Sequence, residues 1–492
     1  MAEISRLDSS EAPRARRWDA LILGSGIPAL VAAARIGATG QRVLVVEEEA
    51  RTMLPPAARE PFFLAGLRDE GILDACLRKL AVPLIDRRRL SHERLAYQIA
   101  ADPYRIDIGQ PIASAEELVT WGLAKPDDAQ TLIRRVIESS EIERELLLDS
   151  PFVRLGRRMS ASRPAQAIGN HRRGLPGDAA SATGSLRQVL AAQIRGLSNV
   201  ATQAPSPEAQ ARLLGLGLAG GVGFSGDPPW LLDLLRKRVT SLYGDFRTLS
   251  GNFEMVSVSG QPGIRVPRSG EIWLGRALIL AAPRSALRES LGADAMHPAP
   301  DFLETTTNRR YRGVFLYRVP TAVLPEGMGA RVILPGREAD GGQLDTGTGL
   351  GADVSGVDGT ITITAFPSQT HPGHVDLIAR SMLPVTEGTP SLDLSAELAS
   401  LRRSITERLE ALMPFCGNRL LSIAFSPPAW DSDDGWLEDA LPGMGWPAEI
   451  DIRLSSRMPI YHLDRAAAAG LGLEGDLLLG WRGGDAIAEQ LA

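Results

Sequence analysis

The chain has 492 residues, 44% of them hydrophobic, which is enough apolar material for two or more domains with real cores. A formal charge of −6 at pH 7 gives no footing for nucleic acid, and two cysteines, Cys76 and Cys416, are too few for a disulfide framework and lack metal-ligand spacing. No apolar run reaches the roughly 20 residues of a membrane span, so any membrane contact is expected to be peripheral, and a reducing cytoplasm is the expected setting.

Residues before Trp18 are polar and arginine-rich and are expected to fray. Arg14, Arg16 and Arg17 precede an apolar stretch as in a signal peptide, but glycine spacing, Pro28 and a second apolar run argue against that reading. Residues 19–47 predict a β-α-β unit: an apolar strand over 20–23, a glycine-spaced turn, a helix, and an apolar strand over 43–46 that ends on Glu47. Gly24 allows a sharp turn and Gly26 allows the backbone to approach a pyrophosphate. Ala29, where a third glycine often stands, lets the helix pack on the strand. The helix N-terminus offers unpaired N–H groups and a partial positive charge to phosphates, and Pro28 suits a first helical turn. Glu47, about 20 residues past the glycines, is placed to accept hydrogen bonds from an adenosine ribose, and its charge disfavours the 2'-phosphate of NADP. The bland alternative is a buried β-α-β unit without a ligand.

Beyond Glu47 the chain is proline-rich and irregular, then helical over 67–80, and a hairpin is expected around Asp102 and Pro103. Residues 113–148 carry helical periodicity with many charges and read as a solvated surface region, with a cover over an apolar substrate channel as the lesser alternative. Residues 160–184 read as a loop, and 185–197 and 207–218 as helices. A second informative block starts at Gly220: a glycine turn, a helix over 230–242, strands near 253–258 and 263–266, and a buried strand over 277–281. Residues 305–320 and 360–366 alternate like antiparallel strands on either side of a glycine-rich loop, 394–413 reads as a helix, and 424–449 as irregular and tryptophan-rich. His371 and His374 read as loop residues, and no metal site is expected. At the C-terminus, 477–479 predicts a buried strand ending at Gly480, a Gly483-Gly484 turn, and a helix capped by Asp485.

Taken together, these three blocks resemble the FAD-dependent amine oxidase and phytoene desaturase superfamily. The resemblance runs along the whole chain in order, although only the N-terminal motif is specific. It implies an α/β fold with a Rossmann-like FAD-binding domain built from residues 18–84, 215–300 and 455–492. Residues 85–214 and 301–454 would form an inserted α+β substrate domain with a mixed or antiparallel sheet. By position, Gly24, Gly26 and Ala29 would hold the pyrophosphate of FAD and Glu47 its ribose. The Val256 backbone would meet adenine, and Gly480, Trp481, Gly483, Gly484 and Asp485 would close over the cofactor. Trp446, Tyr461 and Trp481 are candidate aromatic walls, each equally at home in a core, and Arg482 could stand near the flavin or at the surface.

The chain departs from the family pattern in three places. Arg51, Thr52 and Met53 stand where a Gly-Gly-Arg is usual, and Trp481 and Arg482 intervene before Gly483. None of the three lysines, Lys79, Lys125 and Lys237, is a convincing flavin-side lysine, which tilts the reading from amine oxidation toward a desaturase. The resemblance implies hydride transfer from a C–C or C–N bond of a small or apolar substrate. Two alternatives stay open: a non-catalytic binder like the Rab GDP-dissociation inhibitors, and an NAD-dependent dehydrogenase. Catalytic residues and oligomeric state are not legible. The redox reading requires an open groove above Gly24 and Gly26, with Glu47 facing it.

Overall fold

The computed structural model describes residues 4–7, 15–67, 71–150, 152–156, 184–202, 204–224, 231–292, 300, 303, 309–336, 359–383, 394–439 and 450–492. Trp446 and the expected loops over 160–183 and 337–358 lie outside them.

Two eight-stranded sheets organise these residues. In the first, the order is Ser5–Leu7, Glu254–Val258, Gln261–Val266, Glu271–Leu280, Arg16–Leu23, Val43–Glu48 and Asp245–Leu249, with Ile460–His462 also pairing on Glu271–Leu280. The central pairings are parallel, and the strands between 254 and 280 form an antiparallel meander. Apolar runs such as 20–23 and 43–46 follow from this position, because a parallel sheet is covered on both faces. Ala20, Ile22, Val43 and Val45 pack on one side under the helices Ile27–Gly37, Leu231–Ser241 and Leu473–Leu491. Leu21, Leu23, Leu44 and Val46 point the other way, into a core with Phe253, Leu287 and Trp430. The sheet therefore draws strands from three separated parts of the chain, as the resemblance implied.

The second sheet is mixed. Its order is Leu421–Ile423, Arg309–Pro320, His374–Met382, Ile361–Pro367, Arg331–Leu334, Leu95–Ala101 and Tyr104–Gly109, with Gly435–Glu438 also pairing on Arg309–Pro320, and among the described residues only Arg331–Leu334 with Leu95–Ala101 is parallel. Helices Gly184–Leu197 and Pro207–Leu218 cover Tyr97, Ile99 and Ile108, while Leu394–Leu412 covers Tyr317 and Leu377.

Three local expectations are corrected. The N-terminal residues are not all frayed: Ser5–Leu7 adds an edge strand beside Glu254–Val258, and the first central strand begins at Arg16. Residues 113–148 fall into two helices, Pro111–Thr120 and Pro126–Asp149, separated where Gly122 takes φ +68°. The C-terminal block has neither strand nor turn, because Leu473–Leu491 is one continuous helix. Among the described residues no helix is long and apolar enough to cross a membrane.

Candidate functional site

The glycine turn folds as its sequence demands. The strand Arg16–Leu23 ends at Gly24, whose φ is +114°, and a Cβ built there would lie 2.8 Å from Ala281 O. Only glycine satisfies both the torsion and the approach. Gly26 is extended and caps the helix Ile27–Gly37, with Pro28 in its first turn and Ala29 fully buried. Glu47 stands near the end of the next strand, 4% exposed.

The groove over this turn is not open, as the redox reading required; it holds protein. A segment over residues 429–435 lies across it as a strap. Ser25 donates to Asp431 from both its backbone N (2.8 Å) and its Oγ (2.7 Å), and Glu48 N adds a bond of 3.2 Å. In return the Glu48 carboxylate accepts the N–H groups of Ala429, Trp430 and Asp431 at 2.7 to 3.0 Å. Asp433 lies against Gly26 so closely that a Cβ on Gly26 would strike its Oδ1. Arg51 Nη2 donates to Asp433 Oδ2 at 2.7 Å while Nη1 reaches the Asp431 carbonyl. Asp434 bridges Arg312 (2.6 Å) and Arg380 (3.0 Å), and Arg465 spans Asp433 and Asp476.

These charges are dehydrated, and their environments separate them. Burial pushes the Asp431 carboxyl above its usual range, with Arg51 and the Ser25 donors pulling it partly back. Burial acts on Asp433 too, but Arg51 and Arg465 outweigh it and hold that carboxyl below its usual range. Arg59 is pushed down by burial and by neighbouring Arg51.

The remaining sequence-derived positions scatter. The Glu47 carboxylate is paired with Arg236 from the neighbouring helix. Val256 sits inside its sheet between Ser5 and Gly263, so both edges of its strand are covered. Gly480 and Gly484 lie one turn apart on the C-terminal helix, where added Cβ atoms would meet Pro28 O at 2.6 Å and Arg35 Cβ at 2.8 Å. They permit close packing on the helix Ile27–Gly37, and Gly483 faces Leu463. Asp485 is no cap; it pairs with Arg35 at 2.5 Å, mid-helix. Tyr461 and Trp481 are core residues of the first sheet's helix face, and Arg482 stacks on Trp481 and donates to Leu148 O.

Two clefts flank the strap. The first is lined by Phe62, Phe63, Ser198 and Arg380, the second by Leu54, Tyr311, Phe315 and Phe425, and both touch Arg59, Arg312, Asp433 and Asp434. The strap was missed at the level of sequence, where the acids of 431–434 read only as part of an irregular segment. Their clustering between Trp430 and Trp436 was the available signal.

Comparison with solved structures gives an oxidoreductase from Methanosarcina mazei at 14% identity and TM-score 0.52, covering 94% of this chain and 99% of that one. Putrescine oxidase (13% identity, TM-score 0.49, 96% of this chain and 98% of that one) and cyclohexylamine oxidase from Brevibacterium oxydans (13%, TM-score 0.47, 96% and 99%) are also similar. The chain shares its fold with the Methanosarcina mazei oxidoreductase. No protein-family model and no curated protein sequence matches it. At such identities the likeness speaks for the fold alone.

Within that fold the departures gain a structural meaning. Arg51, standing where Gly-Gly-Arg is usual, turns back to the strap. The residues that would cradle a diphosphate are present: a turn that requires glycine, a helix N-terminus, and Arg51. The frame fits the diphosphate of FAD, and with the strap in place the same space is taken.

Proposed function

We propose that this protein is an FAD-dependent oxidoreductase of the desaturase or amine oxidase type, taking hydride from a C–C or C–N bond of a small or apolar substrate. The observation that carries this reading is the anion-accepting glycine turn, with Glu47 at the adjoining strand end and a cleft between that turn and the second sheet. Bound FAD would supply the hydride acceptor. Ser25 N, the helix N-terminus and Arg51 would hold its diphosphate, and Glu47 its ribose once Arg236, 38% exposed at its side chain, swings away. Phe62, Phe63 and Leu216 give the cleft an apolar wall that excludes water. Glu60 lines the same cleft; burial pushes its carboxyl up to about 8, so it carries a proton at neutral pH. None of the three lysines lines either cleft, which favours the desaturase-like form over amine oxidation.

In this reading residues 18–84, 215–300 and 455–492 form the cofactor unit, and 85–214 and 301–454 the substrate unit. Cys76 and Cys416, both buried and unbonded, suit a cytoplasmic protein. The test is the absorbance and mass of cofactor released from native protein, together with uptake of added FAD. Bound or acquired FAD supports the enzyme. Release of NAD supports the dehydrogenase alternative, and a colourless protein that takes up no FAD supports the non-catalytic binder.

A further inference from the structure

We propose that residues 429–435 are a displaceable internal anion, whose Asp431 and Asp433 carboxylates occupy the diphosphate place until the diphosphate of a dinucleotide exchanges with them. The proposal rests on the glycine-turn reading above and adds a closed state to it.

Every bond that Asp431 makes through its carboxylate comes from a group that would equally serve a phosphate oxygen: Ser25 N, Ser25 Oγ and Glu48 N. Asp433 occupies the approach over Gly26 and takes the charge of Arg51. Despite burial, Arg51 and Arg465 keep it below its usual range, so it is an anion at neutral pH. Of the three carboxylates on the strap, Asp431 and Asp433 stand at the glycine turn, while Asp434 pairs with Arg312 and Arg380. At the turn, exchange swaps the bonds that Ser25 and Arg51 make to carboxylates for bonds to phosphate, while Arg312 and Arg380, released from Asp434, become available to the incoming anion.

The frame also has capacity that the strap does not use. Arg380 is 5% exposed and lines the first cleft, and its Nη1 has no hydrogen-bond partner among the described residues. Arg59 Nε and Ser198 Oγ, on the same cleft, are likewise without a partner among those residues. Buried donors of this kind are normally satisfied, and here their shared cleft is where a longer anionic ligand would continue beyond the strap. The two clefts share Arg59, Arg312, Asp433 and Asp434 in their lining, so lifting the strap would join them.

What opposes opening is also visible. Glu48 holds three strap N–H groups, and Trp430 is 2% exposed with its ring 5.5 Å from that of Phe253. Trp430 must leave or reorient in this core when Asp431 moves, which makes its emission a reporter of the strap. A tethered occupant competes at an effective concentration that reaches the millimolar range for short flexible links, and it raises the apparent dissociation constant by the inverse of the open fraction. A strap open about one-tenth of the time lowers affinity about tenfold.

The experiment titrates FAD, ADP and inorganic pyrophosphate into the wild-type chain and into Asp431→Asn/Asp433→Asn. Trp430 emission is followed as the difference from Trp430→Phe. The expected result is binding at least about tenfold tighter in the double variant, with each ligand shifting wild-type emission and Trp430→Phe losing that shift. Equal affinities with no Trp430-dependent change overturn the proposal, as does pyrophosphate and ADP binding to neither protein. If the double variant does not fold, the wild-type Trp430 signal decides alone. The two readings separate cleanly: ADP and pyrophosphate displacing the strap with FAD no better than ADP removes the flavin and keeps the strap, whereas FAD binding both proteins equally removes the strap and keeps the flavin.

Discussion

Gly24 and Gly26 at one end of the chain, and Gly480 and Gly484 at the other, carry the same signature on the sequence and meet different neighbours in the fold. The N-terminal pair forms a turn, with φ +114° at Gly24 and aspartates of the strap over Gly26. The C-terminal pair lies inside a regular helix, one turn apart, against the backbone of Pro28 and the side chains of Val31 and Arg35. Both are sites of close approach, which is the physical content of a glycine that cannot be replaced. What approaches differs: a carboxylate in one case, a helix in the other. A glycine motif therefore reports a steric requirement and leaves the identity of the neighbour open.

The sharpest way to break that comparison is to remove the anion from the N-terminal pair. Asp431→Ala should leave Arg51 and the Ser25 donors uncompensated in a buried setting and destabilise the protein by about 3–5 kcal/mol in chemical denaturation, with Asp431→Asn losing much less. A loss under about 1 kcal/mol for the alanine variant would mean that the strap is not held as described.

At the C-terminal pair, Gly→Ala in a helix interior ordinarily stabilises by about 1 kcal/mol. At Gly480 the new Cβ would lie 2.6 Å from Pro28 O, so the sign should reverse, with a loss of about 2 kcal/mol by denaturant midpoint. A neutral or stabilising Gly480→Ala would show that the two helices can separate freely.

A double-mutant cycle sharpens the contrast further. Gly26→Ala collides with the Asp433 carboxylate, so adding Asp433→Ala should relieve it, giving a coupling of about 1–2 kcal/mol. Gly480→Ala combined with Asp433→Ala should simply add.

A pH-dependent effect is expected at Glu60, which accepts the N–H groups of Leu231 and Leu232. Burial raises its carboxyl from 4.5 to about 8 in the folded state. Its contribution to stability is therefore complete below about 4.5 and is lost as pH rises through about 8. Between those values the wild type should lose stability with rising pH, and Glu60→Gln should flatten that part of the profile in denaturation curves taken at a series of pH values.

Much of the architecture was legible because it is written in short-range patterns. The runs 20–23 and 43–46 are apolar without alternation because both faces of a parallel strand are covered, and the helix between them follows from glycine spacing and Pro28. The C-terminal helix was misread because three consecutive leucines fit a buried strand and a buried helix equally, and the glycines after them suggested a turn. Its glycines pack on the helix Ile27–Gly37, more than 400 residues away, where they meet Pro28, Val31, Ala32 and Arg35.

By itself, the sequence determined a β-α-β unit with a glycine turn at residues 24–29, an acid at position 47, and a sheet assembled from separated segments. Each of these follows from torsional limits and hydrophobic periodicity within a few dozen residues. Only the tertiary structure decided what stands in the anion's place, since Ser25 and Asp431 are 406 residues apart and no local pattern links them. It likewise decided that Glu47 meets Arg236 and that the last glycines meet a helix. A periodic pattern states which face of an element must be covered, while the partner that covers it is fixed by packing across the whole chain.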